Sequence, residues 1–482
     1  MQPSFRLGRL VALLSLPALP VLALAATSCH SAVPVRLGVA HDRVVVRDVR
    51  VVDGTGGATQ EHMDVLLRGT VIDAVVPTGN DPPTGAFVVE GAGRTLLPGF
   101  IDAHVHVTAN AAIPGQPGLD AEGVLARYLQ AGVTTVVDLG GSGPDLAGLA
   151  ERVSDGTFTG PRIQHSNMQI IARGGHPLPL LDALVPWPLS WLSHVVMPQV
   201  EHPRDVERAL TFVQEMPVEF VKIVADAVPE GSPEMSIATL TAAVQAARQR
   251  GLIVFVHAGS VEQALAAAGA GAQVLAHLPW RGRFSTQDAV RLAALHTVVI
   301  PTLTVWEAAD DLARGAWEPT PLDTALQPRA LMEGARGPAA KRAVEGNKPM
   351  ASFARSLREQ RAHWRASLQA LREAGVPIVV GTDSPLPGTY PGSSFHRELQ
   401  ALQGLGYSPA ELIVAATSRS AGLLPETGEV GSIQKGKLAD LVLVEGDPLA
   451  DIADAGRIAL VIRGGQMVEL DKGQRPSPSS VP

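Results

Sequence analysis

Two histidines, His104 and His106, stand one residue apart at the end of an apolar run that reads LPGFIDAHVHV. If this run is a β-strand, both side chains lie on the same face, because alternate residues of a strand point the same way. Imidazole nitrogens are common metal ligands, so the pair predicts a metal-binding position at the end of a strand. By itself the spacing is weak evidence, because two solvated histidines on a surface strand would give the same pattern.

Four more polar residues end apolar segments farther along the chain. They are Lys222 in EFVKIVAD, His257 after IVFV, His277 after QVLA and Asp383 after IVVGT. Each has a structural alternative: a satisfied core histidine, an ion pair from Lys222 to Asp226 or Asp383, or a turn-forming aspartate. With the strand of His104 and His106, five strands carry polar residues at the same end. Because a separate structural alternative would have to hold at each of the five, a shared site is the better explanation.

The elements that would hold these residues alternate between short apolar strands and helices, which is typical of βα units and a parallel sheet. The predicted strands are GFIDAHVHV, VTTVVDLG, RIQHSNMQII, EFVKIVAD, LIVFVHAG, AQVLAHL, TVVIPTLTV and PIVVGTDSP. Eight strands with intervening helices predict an α/β fold, a (β/α)8 TIM barrel, whose chemistry lies at the carboxyl ends of the strands. A doubly wound open sheet is the alternative, but no glycine-rich dinucleotide fingerprint follows the first strand.

The two ends of the chain have a different pattern, with valine-rich alternating segments separated by glycine turns. VVVRDVRVVDGTG near the start and LADLVLVEGD near the end both indicate strands, and we expect them to fold together as one small composite β-sandwich. The predicted organisation is a signal peptide at 1–28, a linker at 29–42, the sandwich at 43–97 and 428–472, the catalytic barrel at 98–427 and a disordered tail at 473–482.

The first residues have the composition of an export signal, since Arg6 and Arg9 precede an uncharged apolar run that ends in small residues. The segment ATSC at 26–29 resembles a bacterial lipobox, and Cys29 is the only cysteine in the chain. Cleavage by an ordinary signal peptidase after ALA at 23–25 is the alternative. We therefore expect an exported protein of the periplasm or cell envelope, anchored to a membrane by a lipid on Cys29 and without an internal disulfide.

Composition narrows the class of protein further. A chain of 482 residues with 46% apolar and 18% charged residues has the balance of a globular enzyme with a large core. The formal net charge of −8, the lack of a long basic stretch and the low aromatic content argue against a nucleic-acid partner. The expected partners are a small-molecule substrate, a membrane only through the N-terminal anchor, and further copies of the chain in a homo-oligomer.

Taken together, the motifs resemble the amidohydrolase superfamily, and most of all its prolidase-like and imidazolonepropionase-like branch. The resemblance spans nearly the whole mature chain and includes VVDGTG, LLPGFIDAHVHV, the lysine of the fourth strand, HAG, LAHL, GTDSP, HRELQAL, AATSRSAGLL and GSIQKGKLADLVLVEGDPLADI. It implies two divalent metal ions, and zinc suits imidazole and carboxylate ligands. The implied ligands are His104, His106 and Asp383 on one ion, His257 and His277 on the other, and Lys222, carboxylated by CO2, as a bridge together with a hydroxide.

Two loop motifs bear on the substrate side of such a site. Relatives often carry His-Ala-His-Gly after the fifth strand, whereas this chain reads HAGS at 257–260, so one substrate-side histidine is absent. After the third strand, IIARGGHP resembles the family's Gly-Gly-His loop, which makes His176 a candidate to contact the substrate oxyanion. An exposed histidine in a turn is the alternative for His176.

The function predicted is hydrolysis of a C–N bond in an amide, a cyclic amide or a dipeptide, with Asp383 moving a proton from the attacking hydroxide to the leaving nitrogen. A long apolar loop after the third strand carries Trp187 and Trp191, which would either cap the pocket or form a subunit contact. Two other functions stay open. One is a hydrolase of esters, lactones or phosphotriesters with the same metal pair, and the other is a catalytically silent, surface-binding lipoprotein.

Overall fold

The computed structural model describes residues 35–109, 118–141, 143–184, 189–216, 218, 220–425 and 429–469. The predicted signal peptide, Cys29, Trp187 and the predicted tail lie outside the described residues. Among the helices of the described ranges, none is both long enough and apolar enough to cross a bilayer.

The strands fall into two groups, a sheet built from the chain ends and a parallel set in the middle. In the described part of the chain they are β1 (Arg36–Leu37), β2 (Arg43–Val51), β3 (Gln60–Arg68), β4 (Val71–Pro77), β5 (Phe87–Glu90), β6 (Arg94–Pro98), β7 (Phe100–Val105), β8 (Val133–Asp138), β9 (Arg162–His165), β10 (Ile170–Ala172), β11 (Gln199–Val200), β12 (Phe220–Val224), β13 (Ile253–His257), β14 (Val274–Ala276), β15 (Val298–Ile300), β16 (Leu441–Glu445), β17 (Ile458–Arg463) and β18 (Gln466–Glu469).

Helices follow most of the middle strands and cover them from outside. They are α1 (Ala121–Gln130), α2 (Gly143–Ser154), α3 (Leu178–Leu184), α4 (Leu189–Val196), α5 (Val206–Val213), α6 (Ile237–Gln249), α7 (Val261–Ala270), α8 (Thr286–Ala294), α9 (Leu303–Arg314), α10 (Pro321–Leu326), α11 (Arg329–Gly334), α12 (Gly337–Gly346), α13 (Lys348–Glu373), α14 (Ser393–Gln403), α15 (Pro409–Ala416) and α16 (Ser418–Ala421). Polar N-caps start several of them. Ser260, for example, accepts the backbone N–H of Gln263 at the start of α7, which satisfies a donor that the helix itself leaves unpaired.

Strands from both ends of the chain pair in one nine-stranded sheet, in the order β1-β18-β17-β16-β6-β2-β3-β4, with β5 beside β2. The two ends join where β6 and β16 pair antiparallel and Leu96 lies opposite Leu443. Alternating apolar residues of these strands form a separate buried cluster, so the sheet has a core of its own. The segment expected to be a linker contributes β1, which pairs with β18.

The middle strands are parallel and follow one another in chain order, apart from β11, which pairs with β10 on the side away from β12. One set pairs as β7-β8-β9 and the other as β11-β10-β12-β13-β14-β15, with β9 and β10 consecutive in the chain. The backbone of residues 377–384 closes the arrangement. It bonds to β15, where Val379 donates to Val299 O, and to β7, where Ala103 donates to Val380 O. The predicted α/β fold is confirmed, and this parallel arrangement is consistent with the predicted (β/α)8 barrel.

The seventh predicted strand is shorter than expected. TVVIPTLTV forms a strand only as far as Ile300, because α9 begins at Leu303. The buried carboxylate of Glu398 on α14 accepts the backbone N–H groups of Leu303 and Thr304 and the hydroxyl of Thr304. A carboxylate at a helix N-terminus satisfies unpaired donors and interacts well with the helix dipole, and this distant partner converts the strand-like sequence into a helix start.

Replacing Glu398 with alanine should therefore destabilise the protein without touching the predicted ligands. The variant leaves buried donors unpaired and a cavity behind α9, so we expect the free energy of unfolding to fall by about 2–4 kcal/mol. Chemical denaturation followed by circular dichroism measures the change. Glu373→Ala, at an exposed position on α13, is the control and should change stability by less than about 0.5 kcal/mol. An unchanged denaturation midpoint for Glu398→Ala would contradict this account of where α9 begins.

Candidate metal centre

The first three predicted ligands meet at one point. His104 lies near the carboxyl end of β7, and His106 follows that strand. Asp383 lies beside β7, on the closing segment 377–384. Asp383 Oδ1 is 2.9 Å from His106 Nε2 and 3.2 Å from His104 Nε2. One ligand atom from each residue lies within 4.8 Å of the others, and His104 and Asp383 are buried. Two imidazoles and a carboxylate in this arrangement fit a divalent metal ion.

The backbone at Asp383 has a conformation that few residues adopt, with φ at +59°. Asp and Asn tolerate this left-handed region better than other residues with a side chain. The backbone N–H of Asp383 donates to His104 O over 2.8 Å, which attaches the closing segment directly to β7. The tight turn therefore places the Asp383 carboxylate over the His-x-His pair.

The other three predicted ligands surround the first group. Lys222 lies on β12, with its Nζ 3.4 Å from His104 Nε2. His257 ends β13 and His277 follows β14. The ring centroid of His277 is 4.5 Å from that of His104 and 4.3 Å from that of His257. All six residues predicted as ligands thus converge at the carboxyl end of the parallel strands.

Hydrogen bonds orient three of the four imidazoles, using one ring nitrogen of each. His106 Nδ1 donates to Gly140 O over 2.9 Å, and His277 Nδ1 lies 2.6 Å from the hydroxyl of Thr302. His257 Nε2 lies 3.2 Å from Asp226 Oδ2. When one nitrogen binds a neighbour, the other keeps a lone pair for a metal, which is the usual arrangement around histidine ligands.

The electrostatics favour the uncharged form of three members of the group, whereas at His106 burial is outweighed by the contact with Asp383, which raises the pKa of that ring. Burial, together with the neighbouring Lys222, lowers the pKa of His104 well below its ordinary value, and burial beside His257 does the same for His277. Burial also lowers the pKa of Lys222 to about 7. Neutral imidazoles at neutral pH have the lone pairs that metal binding requires.

Lys222 is 1% exposed, and within the described ranges it forms no ion pair. The sequence left open an ion pair with Asp226, but Asp226 instead accepts hydrogen bonds from Trp280 and Arg281. A buried lysine without a counterion is costly as an ammonium group, so the site favours the uncharged amine or a chemically altered form.

The segment HAGS at 257–260 has glycine at position 259, and the structure gives a steric reason for this glycine. A Cβ atom at Gly259 would lie 1.6 Å from Asp226 Oδ1, far inside van der Waals contact. The Asp226 carboxylate fills the space that a side chain at position 259 would occupy.

His176 lies in the turn after β10, and its ring centroid is 5.2 Å from that of His257. The side chain is half-buried, burial lowers its pKa to about 3, and in the described structure its Nδ1 has no hydrogen-bond partner. A neutral imidazole beside the ligand group can donate an N–H to a substrate oxygen. The geometry thus agrees better with the substrate-contact hypothesis than with an exposed turn.

The second aromatic residue of the apolar loop, Trp191, lies on α4 with Leu192 and Val195. All three are exposed, Trp191 by 58%. The structure shows no contact between these side chains and the ligand group, so the pocket cap and the subunit contact both stay predictions.

Sequence reasoning did not assign two carboxylates that support the centre. Asp138 accepts the N–H groups of Val107 and Gly140 and so holds the backbone after His106. Asp102 accepts the hydroxyl and the N–H of Thr382 beside Asp383. The signal was present, because Asp138 ends the apolar segment VTTVVDLG and Asp102 shares the alternating face of His104 and His106.

A model of the amidohydrolase family matches residues 95–468 of this chain. An imidazolonepropionase from Rubrobacter xylanophilus is 26% identical over 435 residues, which cover 84% of this chain and 90% of the relative. An ochratoxinase from Aspergillus niger is 23% identical over 406 residues, or 77% of this chain and 75% of the relative. The crystal structure of a Xaa-Pro dipeptidase with methionine in the active site is similar in fold, with a TM-score of 0.70 at 22% identity over 88% of this chain and 99% of that chain. Because the family model spans well over half of the sequence, this protein belongs to the amidohydrolase family.

Proposed function

We propose that the protein is a hydrolase that uses two divalent metal ions, with zinc as the expected metal, to break the C–N bond of an amide, a cyclic amide or a dipeptide. The observation that carries this proposal is the convergence of His104, His106, Lys222, His257, His277 and Asp383 at one end of the parallel strands. The similarity to an imidazolonepropionase, an ochratoxinase and a Xaa-Pro dipeptidase supports the choice of C–N bonds.

His104, His106 and Asp383 would hold one ion, and His257 and His277 would hold the other. Lys222 would bridge them as a carbamate. Its buried amine forms an N–C bond to CO2 and releases a proton, which replaces a neutral or cationic group by an anion with two oxygen ligands. The absence of an ion pair to Lys222 in the described ranges supports this modification, because an unmodified ammonium would repel the ions.

When bound, the two ions would lower the pKa of a water molecule and polarise the substrate carbonyl. Asp383 accepts the proton of the attacking water and passes it to the leaving nitrogen. The neutral His176 donates its N–H to the developing oxyanion, beside His257. The carboxyl ends of the strands bring these groups together at one end of the parallel set.

A substrate panel tests the proposal on the protein loaded with zinc. We expect turnover of dipeptides, N-acyl amino acids or cyclic amides with a kcat/KM above that for lactones and phosphotriesters. Turnover of the lactones or phosphotriesters without any amide hydrolysis would favour the alternative hydrolase. If the zinc-loaded protein hydrolysed none of these compounds, the result would favour the alternative of a catalytically silent, surface-binding lipoprotein.

The aromatic loop is tested by replacing Trp187 and Trp191 with alanine in one variant. If the two rings cap the pocket, KM for apolar substrates should rise by about 5- to 30-fold, which corresponds to ~1–2 kcal/mol of lost apolar contact. The metal content should stay unchanged. Val290→Ala, which removes a similarly exposed apolar side chain from α8, is the control. An unchanged KM together with a smaller oligomer in sedimentation would assign the loop to a subunit contact instead.

A further inference from the structure

Behind the six predicted ligands lies a buried carboxylate that the proposed mechanism does not use. Asp226 follows β12 and is 1% exposed. Its Oδ1 accepts the N–H of Ala227 over 2.7 Å and Arg281 Nη2 over 2.9 Å. Its Oδ2 accepts Trp280 Nε1–H over 2.7 Å and faces His257 Nε2 at 3.2 Å. Three of these neighbours, Ala227, Trp280 and Arg281, are donors, and an ionised carboxylate can only accept hydrogen bonds.

This contact restricts the tautomer of His257. An ionised carboxylate can only accept, so the ring proton must lie on Nε2 when His257 is neutral, and Nδ1 then keeps the lone pair. The neighbouring His277 is held differently, because its partner is the hydroxyl of Thr302, which can either donate or accept. Among the described partners of these two rings, Asp226 is therefore the one that can impose a single tautomer.

The position of the carboxylate is determined from several sides. Arg281 Nη2 also binds Glu234 Oε2 over 2.9 Å, and the backbone N–H of Arg281 donates to Gly259 O over 2.8 Å. Gly259 provides the space for this carboxylate, because a Cβ atom at position 259 would lie 1.6 Å from Asp226 Oδ1. Glycine at position 259 and the carboxylate at position 226 thus form one steric unit.

We propose that Asp226 is a positioning residue of the metal centre, which holds His257 in the Nε2–H tautomer and thereby sets the affinity of the ion that His257 binds. Trp280 and Arg281 hold the carboxylate, and Gly259 provides its space. The inference deepens the proposed function and rests on the two-ion centre stated there.

Metal binding tests the inference without any measurement of activity. Zinc bound per chain is measured by mass spectrometry after equilibration with a series of zinc buffers. The wild type should bind two ions, and Asp226→Asn should bind one of them about 10- to 100-fold more weakly, as is typical when a partner of a histidine ligand is lost. The asparagine is isosteric, but its amide can donate to Nε2 and so stabilise the wrong tautomer. Asp81→Asn, which makes the same chemical change at an exposed position before β5, is the control and should bind both ions like the wild type.

A double-mutant cycle tests the steric unit. Gly259→Ala should displace the carboxylate and weaken the same ion, although no charge is removed. In the Asp226→Ala background the space is open, so adding Gly259→Ala should weaken binding no further. If the fold losses of zinc affinity in the two single variants simply multiplied in the double variant, positions 226 and 259 would not form a shared steric unit.

The tautomer itself gives a second readout, which remains available if an alanine variant does not fold. In metal-free protein labelled with 15N-histidine, long-range 1H–15N correlation should show His257 protonated on Nε2 in the wild type and on Nδ1 in Asp226→Asn. Two ions bound with wild-type affinity by Asp226→Asn, with an unchanged tautomer, would overturn the inference alone. A wild type that never binds more than one ion would overturn the two-ion centre of the proposed function and this inference with it.

Discussion

Lys222→Ala is expected to lose most of its bound metal and to reduce kcat for the best amide substrate by about 1,000-fold or more, since removal of a single charge-stabilising group in an active site already costs about 100- to 1,000-fold. The reason lies in the charge of the cluster. Lys222 stands 3.4 Å from His104 Nε2, and within the described ranges no carboxylate forms an ion pair with it. As a carbamate it would supply the anionic oxygens that hold two cations together, and alanine supplies none. Metal analysis and steady-state kinetics of the purified variant measure both effects.

Rescue experiments separate this role from a purely structural one. Acetate or propionate should restore part of the metal and part of the activity of Lys222→Ala by filling the gap with a carboxylate. Lys222→Arg should not respond, because it keeps a positive charge and does not form the same carbamate. Lys435→Ala, at an exposed lysine, should behave like the wild type. Full activity of Lys222→Ala with one tightly held ion would instead place the enzyme among mononuclear hydrolases, with His104, His106, Asp383 and one or both of His257 and His277 as the working residues.

Asp383→Asn is expected to lower kcat by about 100- to 10,000-fold, which is the usual contribution of a general acid or base. Asparagine is the informative replacement because it tolerates the left-handed backbone at this position, where φ is +59°. Its amide oxygen can still approach His104 and His106, but the amide cannot take up the proton that the carboxylate accepts. The fold decrease in kcat should therefore be larger than the fold decrease in the amount of metal bound per chain.

Two measurements check this separation of roles. Metal content shows whether the site of Asp383→Asn is still assembled, and single-turnover kinetics report the chemical step directly. Asp311→Asn, which makes the same chemical change at a partly exposed position of α9, is the control and should retain wild-type kcat. Wild-type turnover by an Asp383→Asn protein with a full metal complement would exclude Asp383 as the group that moves the proton.

Local patterns in the sequence were sufficient to predict much of the fold. The alternation of apolar residues at the chain ends predicted strands, and β6 and β16 do pair across the two ends of the chain. In the middle, apolar segments of strand length alternate with helices that have identifiable caps, and this alternation predicted the parallel α/β arrangement. Strand boundaries were less predictable. The segment TVVIPTLTV has strand-forming residues throughout, yet it turns into α9 because Glu398, far away in the chain, caps the backbone at Leu303 and Thr304.

The sequence by itself determined which side chains face the centre, because a parallel barrel brings the carboxyl ends of all its strands together, and a polar residue at the end of an apolar strand is visible without coordinates. Only the tertiary structure decided how those side chains are held. Asp226 contacts His257, Trp280 and Arg281 rather than Lys222, and it excludes any side chain at Gly259. These contacts depend on distances between segments that are remote in the chain. Residue spacing determines the direction of a side chain within its own strand, whereas the partner that it meets depends on how the strands and loops pack.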